Sequence, residues 1–235
     1  MRTGNKTLAE LCSPISAQLG RYTAPDTPTP REDAPRPKRY TDGLSHDELV
    51  DRFVSEAEKV RVSVHRCAPA EVASTIRGII AKGESESAAC IMGADEALAE
   101  LHIQEALDEV TLWDPAQTDA SIEAANKAGY GITFASAGIA ETGTVMQVVR
   151  ANCGRAVSLL PLVHIAVLDA SSIVPTMRSC LAALHGEGGK HSRMPSQVCF
   201  ISGPSATSDI ELVRVEGVHG PMYVHYVVVD DGSAA

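Results

Sequence analysis

From residue 45 onward the chain alternates short aliphatic runs with longer stretches that place an apolar residue every three or four positions. The runs at 60–64, 88–92, 110–112, 163–168, 198–201 and 222–229 read as strands, and 45–59, 69–81, 95–105, 119–127 and 173–184 read as helices. Ser45 stands at the capping-box distance from Glu48, Pro69 can open the next helix, and Gly129 can close the fourth. Alternation of this kind specifies parallel βαβ units joined by right-handed crossovers. The composition agrees. Only 4% of residues are aromatic within a hydrophobic fraction of 44%, so Val, Ile, Leu and Ala must fill the core, as in a parallel sheet covered by helices. Residues 130–136 and 144–149 read as two further strands around a short loop of small residues, which predicts an antiparallel hairpin added to that sheet. The expected fold is therefore an α/β one: an open, mostly parallel sheet with helices on both faces plus an antiparallel hairpin.

A chain of 235 residues holds one large domain of this type. Residues 1–44 read as an N-terminal arm and linker, and 45–235 as the domain. Pro25, Pro28, Pro30, Pro35 and Pro37 block helix and strand, while Leu8, Leu11, Ile15 and Leu19 can form one short amphipathic helix before them. Such an arm either packs on a neighbouring copy, making a homo-oligomer, or frays unbound. The net charge of −10, with basic residues concentrated only at 31–39, argues against a nucleic-acid partner. No apolar run approaches the roughly 18–20 residues of a membrane helix, and residues 1–20 lack a signal-peptide layout. The six cysteines are dispersed, four of them in or beside apolar segments, which predicts a reduced, cytoplasmic protein without disulfides. Their spacing excludes a paired-cysteine zinc or iron–sulfur site within this chain, and no metal is expected in it.

GxGxxG after the first strand, GxxxxGK[ST], HExxH and GxSxG are all missing. Three loops carry the candidate chemistry instead. In GIAETGT at 138–144, glycines flank Glu141, which either meets a ligand as base or nucleophile or is a solvated acid in a hairpin turn. SGPSATSDIE at 202–211 leaves a buried strand with a series of hydroxyls; it either hydrogen-bonds a ligand or caps a helix through Ser208 and Glu211. In EGVHGP at 216–221, His219 lies between glycines and is either an acid, base or ligand, or a turn histidine. His164 and His225 fall in strands and read as core or edge residues. His185 and His191 bracket a glycine-rich loop at a spacing that suits no standard metal motif. Arg150 and Arg155 follow a strand, where each can meet a carboxylate bidentately or form a structural salt bridge.

Taken in order, GIAETGT, the run LPLVHI at 160–165, SGPSATSDIE and EGVHGP resemble the LUD domain, specifically the lactate utilization protein C family, over about residues 45–230. The resemblance implies a fold like the sugar-phosphate isomerase and CoA-transferase group. It also implies a role with two iron–sulfur proteins in oxidising L-lactate to pyruvate, with the clusters in those partners and no cofactor in this chain. Glu141 and Thr142 match the first motif; Ser202, Gly203, Ser205, Asp209 and Glu211 match the second; His219 matches the third. Ser208 stands where a small residue, often alanine, is expected. The site expectation is Glu141 and His219 as catalytic groups, with Thr142, Ser202, Gly203, Ser205 and Asp209 binding a small carboxylate. On this resemblance the chain is a cluster-free subunit, non-catalytic or co-catalytic, of an L-lactate dehydrogenase complex. An independent enzyme using Glu141 on a CoA-transferase-like scaffold is the alternative, and a metal enzyme using His219, Glu141 and Asp209 a third.

Overall fold

The computed structural model describes residues 8–18, 20, 39–187, 195, 197–208, 214–217 and 219–230. They fall into two units, residues 1–38 and residues 39–235. In the first, α1 (Leu8–Gln18) covers most of the expected helix, and Leu19 and the proline stretch lie outside the described residues.

The second unit begins with α2 (His46–Lys59), for which the Ser45 hydroxyl accepts from the Glu48 amide while the Glu48 carboxylate accepts from the Ser45 amide. Strand β1 (Val62–Cys67) leads through a 3-10 turn to α3 (Val72–Ile80), then to β2 (Cys90–Met92). The helix expected over 95–105 is two short ones, α4 (Glu96–Glu100) and α5 (Ile103–Ala106), because His102 adopts a left-handed φ of 51° between them. After β3 (Val110–Leu112) come α6 (Thr118–Lys127) and β4 (Tyr130–Phe134). Strands β5 (Ala137–Ile139) and β6 (Thr144–Val148) follow, then α7 (Ala156–Leu159) and β7 (Val163–Asp169). Residues 173–174, expected to start a helix, form β8 (Ile173–Val174); two β-branched residues before Pro175 favour extension, and α8 (Met177–Glu187) starts beyond it. Strands β9 (Val198–Ile201), β10 (Ala206–Ser208), β11 (Arg214–Glu216) and β12 (Tyr223–Val229) complete the unit. Ser208 thus ends a strand rather than capping a helix, and Glu211 lies outside the described residues.

Six strands form one parallel sheet in the order β1-β12-β7-β4-β2-β3. One face packs on α3, α4 and α5 through Ile76, Leu98 and Ile103, and the other on α2, α6 and α7 through Phe53, Ala125 and Val157. The expected hairpin exists, but it does not extend this sheet. β5 and β6 pair with each other inside a second sheet, β8-β5-β6-β9, stacked on the α2 face. Consecutive amides mark the change of sheet: Ala135 donates to Val167 of the parallel sheet at 2.8 Å, and Ser136 to Met146 of the small sheet at 2.8 Å. Gly138 permits the stacking, since a Cβ there would lie 2.9 Å from Ile173 and 3.1 Å from Leu168 and Phe53. The outer side of the small sheet packs on α8 through Ile139, Met146 and Cys180.

His164 and His225 are both about 1% exposed within the parallel sheet. The alternation of strand residues sends His164 to the α2 face and His225 to the α3 face. Thr133 meets His164 Nε2 at 2.9 Å; His225 meets Glu84 through Nε2 at 2.6 Å and His65 through Nδ1 at 3.1 Å. Burial pushes His164 down to about 4, with repulsion from His225 adding to it. Burial, again with His225, also pushes His65 down to about 4. His225 is lowered by burial despite the opposing Glu84 carboxylate. All three therefore fold neutral, and the unfolded chain binds more protons below the ordinary histidine range. Stability should fall as pH drops from about 6.5 toward 4, by about 3 kcal/mol for His164 alone. Urea midpoints measured across that window check this, and His164→Gln should flatten the dependence by one proton.

Candidate functional site

The first two motif loops meet where α2 turns into β1. In the β5–β6 turn Gly143 has φ 59° and lies so close to the last turn of α2 that a Cβ would sit 2.1 Å from the Ala57 nitrogen. Gly203, just beyond β9, has φ 85° and faces the carbonyl of Val60, at 2.2 Å from the position of an added Cβ. These glycines let two loops rest on backbone, which explains their presence without any ligand. Between them runs a chain of hydroxyls. Thr142 and Thr144 are 2.7 Å apart, and Thr144 donates to Ser202 at 3.1 Å. Thr144 is buried, whereas Thr142 and Ser202 are exposed, so the chain opens to solvent at both ends.

The second and third motifs are joined by backbone. Ser205 donates its amide to Pro221 and accepts from the Gly217 amide, each at 2.9 Å, while β10 and β11 pair antiparallel behind them. Gly220 rests against Ser205, whose Cβ is 3.1 Å from where a Gly220 Cβ would be. The arrangement lies at the amino ends of β1 and β12, since Met222 and Tyr223 both donate to Leu162 just before β7.

The charged residues of these loops are placed differently from the hydroxyls. Glu141 holds Arg39 in an ion pair at 2.8 Å, and its side chain is 30% exposed. Any role for it as a base requires Arg39 to leave. Glu216 pairs with Arg61 across the same junction. His219 is exposed in the loop before β12, and no hydrogen bond links it to Glu141 among the described residues. Asp209 lies outside the described residues. Thr142, Ser202, Gly203 and Ser205 are thus brought into one neighbourhood, Glu141 stands beside it in an ion pair, and His219 borders it through Gly220 and Pro221. Among the described residues, no group of three or more His, Cys, Asp or Glu is arranged to hold a metal ion. The six cysteines are free, with Cys90, Cys153 and Cys180 buried.

A second polar cluster, at the carboxyl ends of β2 and β6, carries no motif. Asp95, Gln147, Asn152 and Cys153 converge there from segments more than fifty residues apart in sequence. Burial raises the Asp95 carboxyl, against a hydrogen bond from Asn152 and the nearby Arg150 charge. Arg150 is the one member with a visible signal in the sequence, as a basic residue directly after a strand.

Adding a methyl group at either close glycine should expose the structural role. Gly143→Ala and Gly203→Ala should each destabilise the protein by roughly 2–4 kcal/mol, from a disfavoured backbone conformation plus overpacking. The exposed Arg39→Ala should cost under about 1 kcal/mol. Chemical denaturation of the three variants measures the contrast.

The crystal structure of a DUF162 family protein from Deinococcus radiodurans superimposes with a TM-score of 0.54 at 24% identity, over 79% of this chain and 99% of that one. The chain is 37% identical over 221 residues to Lactate utilization protein C of an Exiguobacterium species, covering 92% of this chain and 93% of the relative. It is 31% identical over 225 residues to Lactate utilization protein C of Oceanobacillus iheyensis, covering 93% and 96%. The LUD domain family model matches residues 50–229, nearly the whole of the second unit, and the chain belongs to that family.

Proposed function

We propose that this chain acts in lactate utilization, as the cluster-free subunit of an iron–sulfur system that oxidises L-lactate to pyruvate. The observation that carries the reading is its similarity to proteins named Lactate utilization protein C along more than nine-tenths of both chains. A match of that extent leaves no large segment of the relatives without a counterpart. The iron–sulfur partners and the direction of oxidation come from the family resemblance of the motifs.

Oxidation of a 2-hydroxy acid removes two electrons and two protons from one carbon–oxygen unit. In this reading the partners' clusters carry the electrons, and this chain binds and orients the small carboxylate. The motif loops then serve architecture and docking more than chemistry. Gly143 and Gly203 hold the small sheet to α2, and Thr142 and Ser202 present hydroxyls at the surface. Glu141, paired with Arg39, stabilises the turn.

Reconstitution tests this. The purified chain alone should not reduce a dye with L-lactate, and adding the two iron–sulfur proteins should restore reduction. Dye reduction by the chain alone would overturn the subunit reading. In the reconstituted system Glu141→Gln and His219→Ala should retain lactate oxidation to within about threefold, a change of under 1 kcal/mol. A loss of about a hundredfold at unchanged stability would instead make the altered residue catalytic.

A further inference from the structure

The motif loops occupy the amino ends of the parallel sheet. In open α/β sheets, ligands bind beyond the carboxyl ends, where successive connections leave in opposite directions. Here that switch point falls between β2 and β4. The chain leaves β2 for β3 through α4 and α5 on one face, and leaves β4 for β7 through the hairpin and α7 on the other. The second polar cluster lies at this point.

Its walls are tightly tied. Gly93 donates to Ile132 at 3.0 Å and Ala94 to Asn152 at 2.8 Å. The Asn152 side-chain amide donates to the Ala94 carbonyl at 3.0 Å and to Asp95 Oδ1 at 3.1 Å. Gly93 is pressed against Cys153, whose sulfur would be 2.7 Å from an added Cβ, with Asp95 Oδ2 at 2.9 Å. Gln147 Nε2 approaches the Cys153 sulfur at 3.6 Å. Burial, reinforced by the Asp95 charge, pushes the Cys153 thiol up to about 12, so it stays protonated and is no nucleophile.

Two acceptors remain over. Gln147 Oε1, on a side chain 2% exposed, and Asn152 Oδ1 are buried without a hydrogen-bond partner among the described residues. Buried polar atoms of this kind are costly unless something donates to them. The orientation of Asn152 is fixed by its two acceptors, and turning the Gln147 amide over would only exchange an orphan acceptor for an orphan donor. On the same rim stands Arg150, exposed and near enough to Asp95 for their charges to interact. Orphaned acceptors beside a guanidinium match a molecule that carries a hydroxyl and a carboxylate.

We propose that the switch point at the carboxyl ends of β2 and β4 binds a small hydroxycarboxylate, its carboxylate on Arg150 and its single hydroxyl proton donated to the amide oxygen of Gln147. The donor-plus-carboxylate chemistry follows from these residues; naming a 2-hydroxy acid such as L-lactate rests on the proposed role in lactate utilization. A 2-oxo acid brings the carboxylate without the donor, so the same site releases the oxidised product more readily than it holds the substrate.

The test is titration of the full isotopically labelled chain with L-lactate, pyruvate and propionate, followed by amide NMR. L-Lactate should bind about tenfold more tightly than the other two, the size of one additional hydrogen bond to a buried acceptor. Arg150→Gln, at an exposed position, should leave the fold intact and weaken lactate about tenfold or more. Gln147→Leu removes an orphan acceptor with little change of shape. It should leave stability equal or higher while erasing the preference for lactate over propionate, whereas a merely structural Gln147 would lose stability and leave that preference untouched. Failure of the unaltered chain to bind L-lactate, or equal binding by Arg150→Gln, overturns the proposal and leaves structural water as the partner of the two oxygens. Lactate binding at the switch point without reconstituted oxidation supports the site and removes the subunit reading. Reconstituted oxidation unimpaired by both variants removes the site and leaves that reading standing.

Discussion

The structure depends on one close approach, that of the small sheet to the parallel sheet and α2. Two layers of backbone come this near only where side chains are almost absent, and Gly138, Gly143 and Gly203 provide three such places. Between them Tyr226 fixes the separation. Its ring stacks on Phe53 with centroids 5.7 Å apart, and its hydroxyl donates to the Ile201 carbonyl at 2.8 Å. Burial raises the phenol far above its ordinary range, so the donor is permanent. One aromatic residue in β12 therefore joins helix, parallel sheet and small sheet at a single point. The motif loops are anchored beside it, and β6 carries Gln147 and the chain leading to Asn152 toward the opposite end.

Much of this architecture is legible in sequence. The aliphatic runs at 163–168 and 222–229 contain the two longest buried strands, and the Ser45–Glu48 spacing marks the start of α2 to the residue. Local pattern falters where tertiary context decides. A hairpin can be read from its turn, but whether it extends a sheet or lies on one depends on residues elsewhere, here Leu168, Ile173 and Phe53. The break at His102 has no glycine or proline to announce it. Ile173 and Val174 have the apolar character of a helix face, yet they pair with β5 because Pro175 follows and an open edge is near.

The candidate site divides along the same line. The glycine and hydroxyl motifs are contiguous, so they stand out in a linear reading, and the structure brings most of them together. What contiguity cannot tell is whether a glycine is small for a ligand or for a neighbouring helix; the positions of Ala57 and Val60 answer that for Gly143 and Gly203. Asp95, Gln147 and Asn152 form no motif, since Asp95 follows β2 while Gln147 and Asn152 lie at the end of β6 and just beyond it, more than fifty residues later. Their convergence is set by how the small sheet carrying β6 packs on the parallel sheet carrying β2. In this chain, then, the motif residues and the buried unpartnered amide oxygens lie at opposite ends of one sheet.

That sheet order also governs how the molecule is made. β12 is the last of the described strands, yet it lies between β1 and β7 and completes the pairing of both. During synthesis β1 must wait through about 160 residues for its partner, the most non-local pairing in the fold and one that slows folding. Until β12 arrives, β7 presents an unpaired apolar edge, and β1 stands apart with its face covered only by its own helices. A nascent chain halted just short of residue 223 would thus carry the family's motifs and most of its helices, but with a strand-width slot between β1 and β7, open to any extended segment that another chain can offer.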